Sequence, residues 1–93
     1  MIKQFKCKET RGIWQGDVST RLPRDIQQIA RRKLRMLNNA KQLKDLLIPP
    51  SNRFEALKGD KKGEYSIRIN SQWRLCFQWL DGDAYSVAIE DYH

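Results

Sequence analysis

Apolar and polar residues alternate along the last third of the chain. The alternation runs through residues 66–70, 73–79 and 85–90. Asp81-Gly82 stands between the second and third runs, and both residues tolerate the positive φ angles of a two-residue hairpin turn. A two-residue period is typical of strands with one buried face. The pattern therefore predicts a three-stranded antiparallel meander.

The alternation also assigns each side chain of the meander to one of two faces. One face is apolar and is expected to pack on helices; it carries Ile67, Ile69, Trp73, Leu75, Phe77, Trp79, Tyr85, Val87 and Ile89. The other face is polar and carries Ser66, Arg68, Asn70, Arg74, Cys76, Gln78, Ser86, Ala88, Glu90 and Tyr92. Half-solvated antiparallel sheets are common, so this face has an ordinary explanation. Two arginines among small residues would equally suit a bound phosphate.

The front half of the chain has a helical period instead. Apolar residues recur at three- and four-residue steps from Ile26 to Leu37, which is typical of the buried stripe of an amphipathic helix. Pro23 suits the first turn of this helix. Ser19 or Thr20 is predicted to cap it.

Shorter patterns flank this helix on both sides. Residues 2–5 can form a short strand, and residues 8–14 can form one or two helical turns that end near Gly16. Asn38-Asn39 predicts a break in the main helix. Residues 40–47 then continue a shorter helical pattern, so the front half is predicted to be mostly helical.

The length and the charge of the chain limit the kinds of protein it can be. Its 93 residues, 40% of them hydrophobic, are expected to form a single domain, 1–93, with a modest core. Eighteen Lys and Arg against eleven Asp and Glu give a net charge of +7. This balance favours a polyanionic partner, nucleic acid first, over a surface that is basic only for solubility. The densest basic cluster, residues 31–35, is either solvated or in contact with phosphate or an acidic partner.

The two cysteines and the lengths of the apolar runs indicate the cellular compartment. Cys7 and Cys76 lack CxxC spacing, which argues against a zinc site or a disulfide framework and favours reduced thiols. Cys76 lies in mid-strand among large apolar residues and is interpreted as a packing residue. No apolar run approaches the ~18 residues of a membrane span, and residues 1–6 lack the apolar segment of a secretory signal. We therefore expect a cytoplasmic protein without a membrane partner.

The remaining chemistry is acid–base chemistry without a metal or a cofactor. The sequence offers no metal-ligand cluster and no glycine-rich phosphate loop. RNA can be cleaved through its own 2′-hydroxyl by a proton acceptor, a proton donor and cations that stabilise the charge at phosphorus. The candidates for proton transfer are Glu55, Asp91, Tyr92 and His93, and those for phosphate binding are Lys58, Arg68, Asn70 and Arg74.

Two of these candidates have ordinary alternatives. His93 has the side chain best suited to proton transfer near neutral pH, but it can also be read as part of an exposed tail. Lys58-Gly59 suits a phosphate-binding loop and an ordinary turn equally well.

Five motifs follow one another in the second half of the chain: Glu55-Ala56-Leu57-Lys58-Gly59-Asp60, Tyr65-Ser66-Ile67-Arg68-Ile69-Asn70, Gln72-Trp73-Arg74-Leu75-Cys76-Phe77, Gly82-Asp83-Ala84-Tyr85 and Asp91-Tyr92-His93. Together with Met1-Ile2-Lys3 and the proline-led helix, they closely resemble the HigB toxins, which belong to the RelE-like ribonuclease superfamily of toxin–antitoxin systems. The resemblance implies an α+β fold of the RelE-like microbial ribonuclease type, with N-terminal helices packed on one face of a small antiparallel sheet.

The resemblance also implies an activity and a set of partners. The activity is that of an mRNA endoribonuclease, or mRNA interferase, which acts in the ribosomal A site without metal and so inhibits translation and growth. The partners are the ribosome, mRNA and a HigA-type helix-turn-helix antitoxin. The toxin is expected to contact operator DNA only as part of its complex with that antitoxin. The rival interpretation is a basic nucleic-acid-binding or translation-inhibiting module that has no cleavage activity.

The resemblance carries over to individual residues. It places Asp91, Tyr92 and His93 in the family's catalytic group, Arg74 on the scissile phosphate and Lys58 in the loop near the site. Some members carry a catalytic histidine where this sequence has Glu55. A glutamate can act as a base but cannot supply a cation. Either Glu55 takes over the role of that histidine, or proton transfer depends on His93 and Asp91.

Overall fold

Two helices come first in the chain and an antiparallel sheet follows them. The computed structural model describes residues 1–61 and 63–92. His93, for which the sequence predicts a catalytic role, lies outside the described residues. The helices are α1 (Lys8–Gln15) and α2 (Arg24–Asn39), and the strands are β1 (Glu55–Ala56), β2 (Glu64–Arg68), β3 (Trp73–Leu80) and β4 (Asp83–Asp91). Short 3₁₀ helices occur at Leu43–Leu47, Pro50–Asn52 and Gly59–Lys61. None of the described helices is long and apolar enough to cross a membrane.

Both helices end where the sequence predicts, but α2 begins differently. Gly16 ends α1 with a φ of 97°, a conformation that costs glycine little. The prediction that Ser19 or Thr20 caps α2 is wrong, because Pro23 occupies the cap position. The side chain of Gln27 reaches back from the first turn and makes two hydrogen bonds to the backbone of Ser19, at 2.9 and 3.0 Å. Gln27 thus fixes the loop that precedes α2.

The four strands lie in the order β1-β2-β3-β4, and every neighbouring pair is antiparallel. The predicted meander is confirmed as β2, β3 and β4, and Asp81 and Gly82 turn between the last two with φ angles of 51° and 82°. The two-residue strand β1 lies in a segment that the sequence predicts as a loop. Residues 2–5 do not form a continuous strand and contribute two isolated parallel bridges to β4.

A β-bulge in β4 changes which side chains face the core. Cys76 pairs with Ala88 but Gln78 pairs with Tyr85, so one residue of β3 lies opposite two residues of β4. Ser86 takes a φ of 51° at this point. Because the bulge adds a residue, Tyr85 shares the polar face with Gln78 and the fully buried Ala84 faces the core. The assignment of Tyr85 to the apolar face is therefore wrong.

The hydrophobic core lies between the helices and the apolar face of the sheet. Its large, fully buried apolar side chains come from α1, α2, the 3₁₀ helix at Leu43–Leu47 and the strands; they are Ile13, Ile26, Leu34, Leu37, Leu46, Ile67, Leu75, Phe77 and Val87. Each such side chain contributes about 1.5–3 kcal/mol when it leaves water. The predicted α+β fold, with N-terminal helices on one face of a small antiparallel sheet, is confirmed.

One hydroxyl group in this core ties α1 to the sheet. Thr10 is fully buried, and its Oγ1 accepts a hydrogen bond from the backbone N–H of Ile89 at 2.9 Å. A buried N–H group without an acceptor is costly. Thr10 therefore fixes the position of α1 along β4, close to the end of the strand that leads to Tyr92.

The substitution Thr10→Val keeps the shape of the side chain and removes this acceptor. We expect the free energy of unfolding to fall by about 1–3 kcal/mol, the cost of an unpaired buried donor. Thr10→Ser keeps the hydroxyl group and is the matched control, with an expected loss of about 1 kcal/mol for one methyl group. Urea unfolding measures both variants, and a Thr10→Val protein as stable as the wild type would contradict this role.

Candidate active site

The side chain of Arg74 is buried, although it belongs to the polar face of β3. Arg74 is only 6% exposed. Its Nε donates a hydrogen bond to Ser66 Oγ of β2 at 2.8 Å, and its Nη2 donates to the backbone carbonyl oxygens of Arg53 and Ser66. Burial of a cation is unfavourable unless hydrogen bonds compensate it. These three bonds do so, and they hold the guanidinium in one orientation.

The fixed orientation of Arg74 presents Nη1 to the carboxylate of Glu55, whose Oε1 lies 3.7 Å away. Strand β1 explains this approach, because Glu55 pairs with Ser66, the same residue that binds Arg74. The Glu55 side chain is 53% exposed, so the ion pair contributes little to stability. Its exposure leaves the carboxylate accessible from the solvent side of Arg74.

The backbone at Arg53 is part of the same arrangement. Arg53 has a φ of 44°, in the left-handed region that non-glycine residues seldom adopt. This conformation directs its carbonyl oxygen to Arg74 Nη2. Backbone strain of this kind is concentrated at functional sites, where the surrounding structure must maintain it.

Tyr92 covers the guanidinium from the end of β4. The guanidinium carbon of Arg74 lies 5.6 Å from the centre of the Tyr92 ring, within the range of a cation–π contact. The backbone N–H of Tyr92 donates to Gln72 O at 2.6 Å, which keeps the chain paired beyond the last residue of the strand. The prediction that Tyr92 shares a face with Arg74 is confirmed.

Two arginines face one another across the strands beside this site. Arg68 of β2 is the direct cross-strand partner of Arg74, and like charges in that position are destabilising. Both line an open cavity of about 390 Å³, whose other walls are Arg53, Glu55, Asn70, Ser71 and Tyr92. With three arginines and one carboxylate in its lining, the cavity is electrostatically more favourable for an anion than for a cation.

Five predicted site residues therefore lie around one cavity; they are Glu55, Arg68, Asn70, Arg74 and Tyr92. Asn70 also has a structural part, because its Oδ1 accepts hydrogen bonds from the backbone N–H groups of Gln72 and Trp73 at 2.9 and 2.8 Å. Those bonds shape the turn between β2 and β3 and direct the rest of the amide group towards the cavity.

The other three predicted residues are placed differently. Lys58 is exposed in the loop after β1, and it is not one of the described residues that line the cavity. Asp91 accepts a hydrogen bond from Gln72 Nε2 at 3.1 Å and also lies outside that set. His93 lies outside the described residues. The phosphate-binding role predicted for Lys58 and the catalytic roles predicted for Asp91 and His93 stay predictions, as do the roles of the five residues around the cavity.

Sequence reasoning misses Arg53, Ser71 and the part played by Ser66. Arg53 acts on Arg74 through its backbone carbonyl, and no side-chain pattern reports the direction of a carbonyl group. The alternation places Ser66 on the polar face, but only the register between β2 and β3 shows that its hydroxyl group accepts from Arg74.

A small ionic cluster lies beside Arg74, around its cross-strand partner Glu90. Glu90 Oε1 lies 3.5 Å from Lys61 Nζ, and Glu90 Oε2 lies 3.8 Å from Lys6 Nζ. Burial, and secondly the charge of Glu90, raise the pKa of the neighbouring Cys76 thiol to about 11. Cys76 therefore stays protonated near neutral pH, in agreement with a packing residue. Among residues 1–61 and 63–92, no group of three His, Cys, Asp or Glu side chains is arranged to hold a metal ion.

Solved structures of other proteins share this fold. A mutant of YafQ from E. coli matches 98% of this chain and 91% of its own, with a TM-score of 0.66 and 14% identity. The YoeB–YefM toxin–antitoxin complex from Staphylococcus aureus contains a chain that matches all of this one and 95% of its own, with a TM-score of 0.63 and 21% identity. The fold is thus that of the RelE-like toxins.

Sequence comparison identifies the family within that class. The family described as the RelE-like toxin of type II toxin–antitoxin system HigB matches residues 3–93. Toxin HigB-1 of Vibrio cholerae is 44% identical over 97% of this chain and 96% of its own length. Endoribonuclease HigB of Proteus vulgaris is 36% identical over the full length of both chains. The chain belongs to the HigB-like family of type II toxins, which confirms the resemblance seen in its motifs.

The raised pKa of Cys76 predicts how stability changes in alkaline solution. The unfolded thiol loses its proton near its ordinary pKa of 9.0, whereas the folded thiol retains it up to about 11. The folded state therefore binds more protons in this window, and stability falls as the pH rises through it. In Cys76→Ala the urea midpoint should fall less steeply between pH 9 and pH 11 than in the wild type. Cys7→Ala, which removes the other thiol, is the matched comparison. Equal slopes for all three proteins would contradict the assignment.

Proposed function

We propose that this protein is an endoribonuclease that cleaves mRNA in the ribosomal A site by metal-free acid–base catalysis. The observation that carries the proposal is the buried Arg74, whose Nη1 is held towards an open cavity beside Glu55 and Arg68. Catalysis by preorganised charge requires a cation that does not reorganise when charge develops. The name of the Proteus vulgaris relative, an endoribonuclease, supports the same activity.

In the proposed reaction the 2′-hydroxyl of the substrate attacks the neighbouring phosphorus, and the bond from phosphorus to the 5′ oxygen breaks. Arg74 and Arg68 would hold the non-bridging oxygens and stabilise the added negative charge. The carboxylate of Glu55, half exposed and adjacent to Arg74, would accept the 2′ proton. A phosphate bound at Nη1 would replace part of the Glu55–Arg74 contact and leave Glu55 free to act as the base.

The departing 5′ oxygen needs a proton from the opposite side of the phosphorus. Tyr92 stacks on Arg74, and His93 is the next residue in the chain. The proposal gives the acid role to His93, with Asp91 and Tyr92 positioning it, because imidazole exchanges protons readily near neutral pH. Lys58 would add positive charge at the rim.

Biological partners follow from the family and from the charge. The net charge of +7 favours entry of the protein into an RNA-rich site such as the ribosome. A type II toxin requires a protein antitoxin, and we propose a HigA-type helix-turn-helix protein that neutralises the toxin in the cytoplasm. The toxin would then reach operator DNA only within that complex.

Mapping of mRNA 5′ ends after brief expression tests the proposed cleavage and the role of Arg74. Wild-type protein should generate new, codon-phased ends. Arg74→Lys keeps the charge but cannot make the same set of hydrogen bonds, so the ends should fall by about 100-fold, as for the loss of a transition-state donor. Arg11→Lys, an exposed position on α1, is the matched control and should cleave like the wild type.

Thermal unfolding shows whether each variant folds. Arrested growth with intact mRNA would favour the rival, a translation-inhibiting module without cleavage activity.

The role of Glu55 is tested by the pH dependence of its variants. Glu55→Gln cannot accept a proton, so cleavage of mRNA on purified ribosomes should slow by about 10²–10⁴-fold at every pH. Glu55→His should recover activity only where the imidazole is neutral, above its ordinary pKa of about 6.5. A Glu55→Gln protein as active as the wild type would remove Glu55 from the mechanism.

A further inference from the structure

A second cavity, of about 530 Å³, lies between α2 and the residues that follow β2. Its size is within the range of about 300–1,000 Å³ that is typical of small-ligand sites. The residues that line it are Ile29, Arg32, Lys33, Met36, Ser51, Arg68, Ile69 and Asn70. Arg68 and Asn70 also line the cavity at Arg74. The two cavities are therefore adjacent and share one wall.

The second cavity carries positive charge, and none of the described residues that line it is a carboxylate. Its lining has three cations, Arg32, Lys33 and Arg68. In the part of the chain that the structure describes, none of the three forms an ion pair within 4 Å. Burial, and secondly the charge of Arg32, lower the pKa of Lys33. An anion placed between these side chains would relieve that repulsion.

A buried hydrogen-bond network holds Lys33 in position. Its Nζ donates to Asn52 Oδ1 at 2.6 Å. Asn52 is fully buried, and its own Nδ2 donates to Leu46 O at 3.1 Å. The ammonium group is therefore ordered before any ligand arrives, which reduces the entropy lost on binding.

The side chains of the basic cluster at residues 31–35 differ in what they contact. Arg31 donates hydrogen bonds to the backbone carbonyl oxygens of Ile13 and Asp17, at 2.9 and 3.1 Å, and so joins α2 to the end of α1. Arg35 is exposed and lines neither cavity. Only Arg32 and Lys33 are directed to the cavity beside the Arg74 site.

The cavity also has an apolar part, formed by Ile29 and Met36, which lie on the same face of α2 as the two cations, and by Ile69 after β2. A ligand that fits this mixed lining has an anionic group and an apolar or aromatic part, as a nucleotide has. Because the cavity continues from the Arg74 site through Arg68, a strand of RNA bound at Arg74 would place its next nucleotide here. An acidic protein segment would satisfy the cations but would give no reason for the shared wall.

We propose that this cavity binds the RNA nucleotide adjacent to the scissile phosphate. Arg32 and Lys33 contact the phosphate of that nucleotide, and Ile29, Met36 and Ile69 pack against its sugar or base. This subsite rests on the proposed function, since it assigns a neighbouring nucleotide of the same substrate. It adds two residues of α2 to a site otherwise built from the sheet.

A double-mutant cycle between the protein and the RNA tests the contact. The probe is a six-nucleotide RNA, made resistant by a 2′-deoxy substitution at its cleaved nucleotide, in which uncharged methylphosphonates replace the flanking phosphates one at a time. We expect wild-type affinity to fall by about tenfold at one flanking position, as for the loss of one charge-assisted hydrogen bond. Arg32→Gln should lose about tenfold on the unmodified RNA and nothing more at that position, because the two changes remove the same contact. Arg35→Gln, on the same helix, is the control and should follow the wild type.

Several results would overturn the subsite. The first is an Arg32→Gln variant that binds the RNA as tightly as the wild type. The second is additivity, in which the affinity lost through Arg32→Gln adds to the affinity lost through the methylphosphonate at every flanking position. The third is a wild-type protein that shows no measurable binding of the RNA. If Arg32→Gln no longer bound the purified antitoxin but still bound the RNA like the wild type, the cavity would be assigned to an acidic protein segment. Coupling at one phosphate would support the subsite even if wild-type protein failed to cleave mRNA on ribosomes. That combination would remove the proposed cleavage alone.

Discussion

A buried guanidinium must be hydrogen bonded on most sides, and this requirement determines how the functional end of the molecule is built. Arg74 satisfies it with the hydroxyl and carbonyl groups of Ser66 and the carbonyl group of Arg53. The left-handed backbone at Arg53 and the short strand that follows it both serve this arrangement. The consequence is a cation that has one orientation before any substrate arrives and that turns its remaining edge, Nη1, towards Glu55.

The same end of the sheet concentrates positive charge beyond what its own carboxylates neutralise. Arg68 and Arg74 are direct cross-strand partners, and Arg68 also borders the cavity that holds Arg32 and Lys33. Such repulsion costs stability, and a bound polyanion would relieve it. A fixed cation with further cations beside it would suit the proposed RNA substrate, whose phosphates repeat along a flexible chain.

Periodicity in the sequence is sufficient to predict the meander, the hairpin at Asp81 and the face that carries Arg74. It fails at Tyr85, because a bulge inserts one residue and every side chain on one side of it changes face. It also fails at β1, whose two residues are too few to show a period. Arg53 gives no signal because it contributes a carbonyl group. The task of Arg32 depends on the packing of α2 against the residues after β2, which no local pattern reports.

The central claim is that the fixed guanidinium of Arg74 is the anchor for the scissile phosphate. A crystal structure of the protein with an RNA that carries a 2′-deoxy nucleotide at the cleavage position measures this directly. We expect a non-bridging oxygen of the phosphate after that nucleotide to lie within about 3 Å of Arg74 Nη1, with the bonds to Ser66 and Arg53 unchanged. A phosphate bound elsewhere on the molecule, with Glu55 still on Nη1, would contradict it.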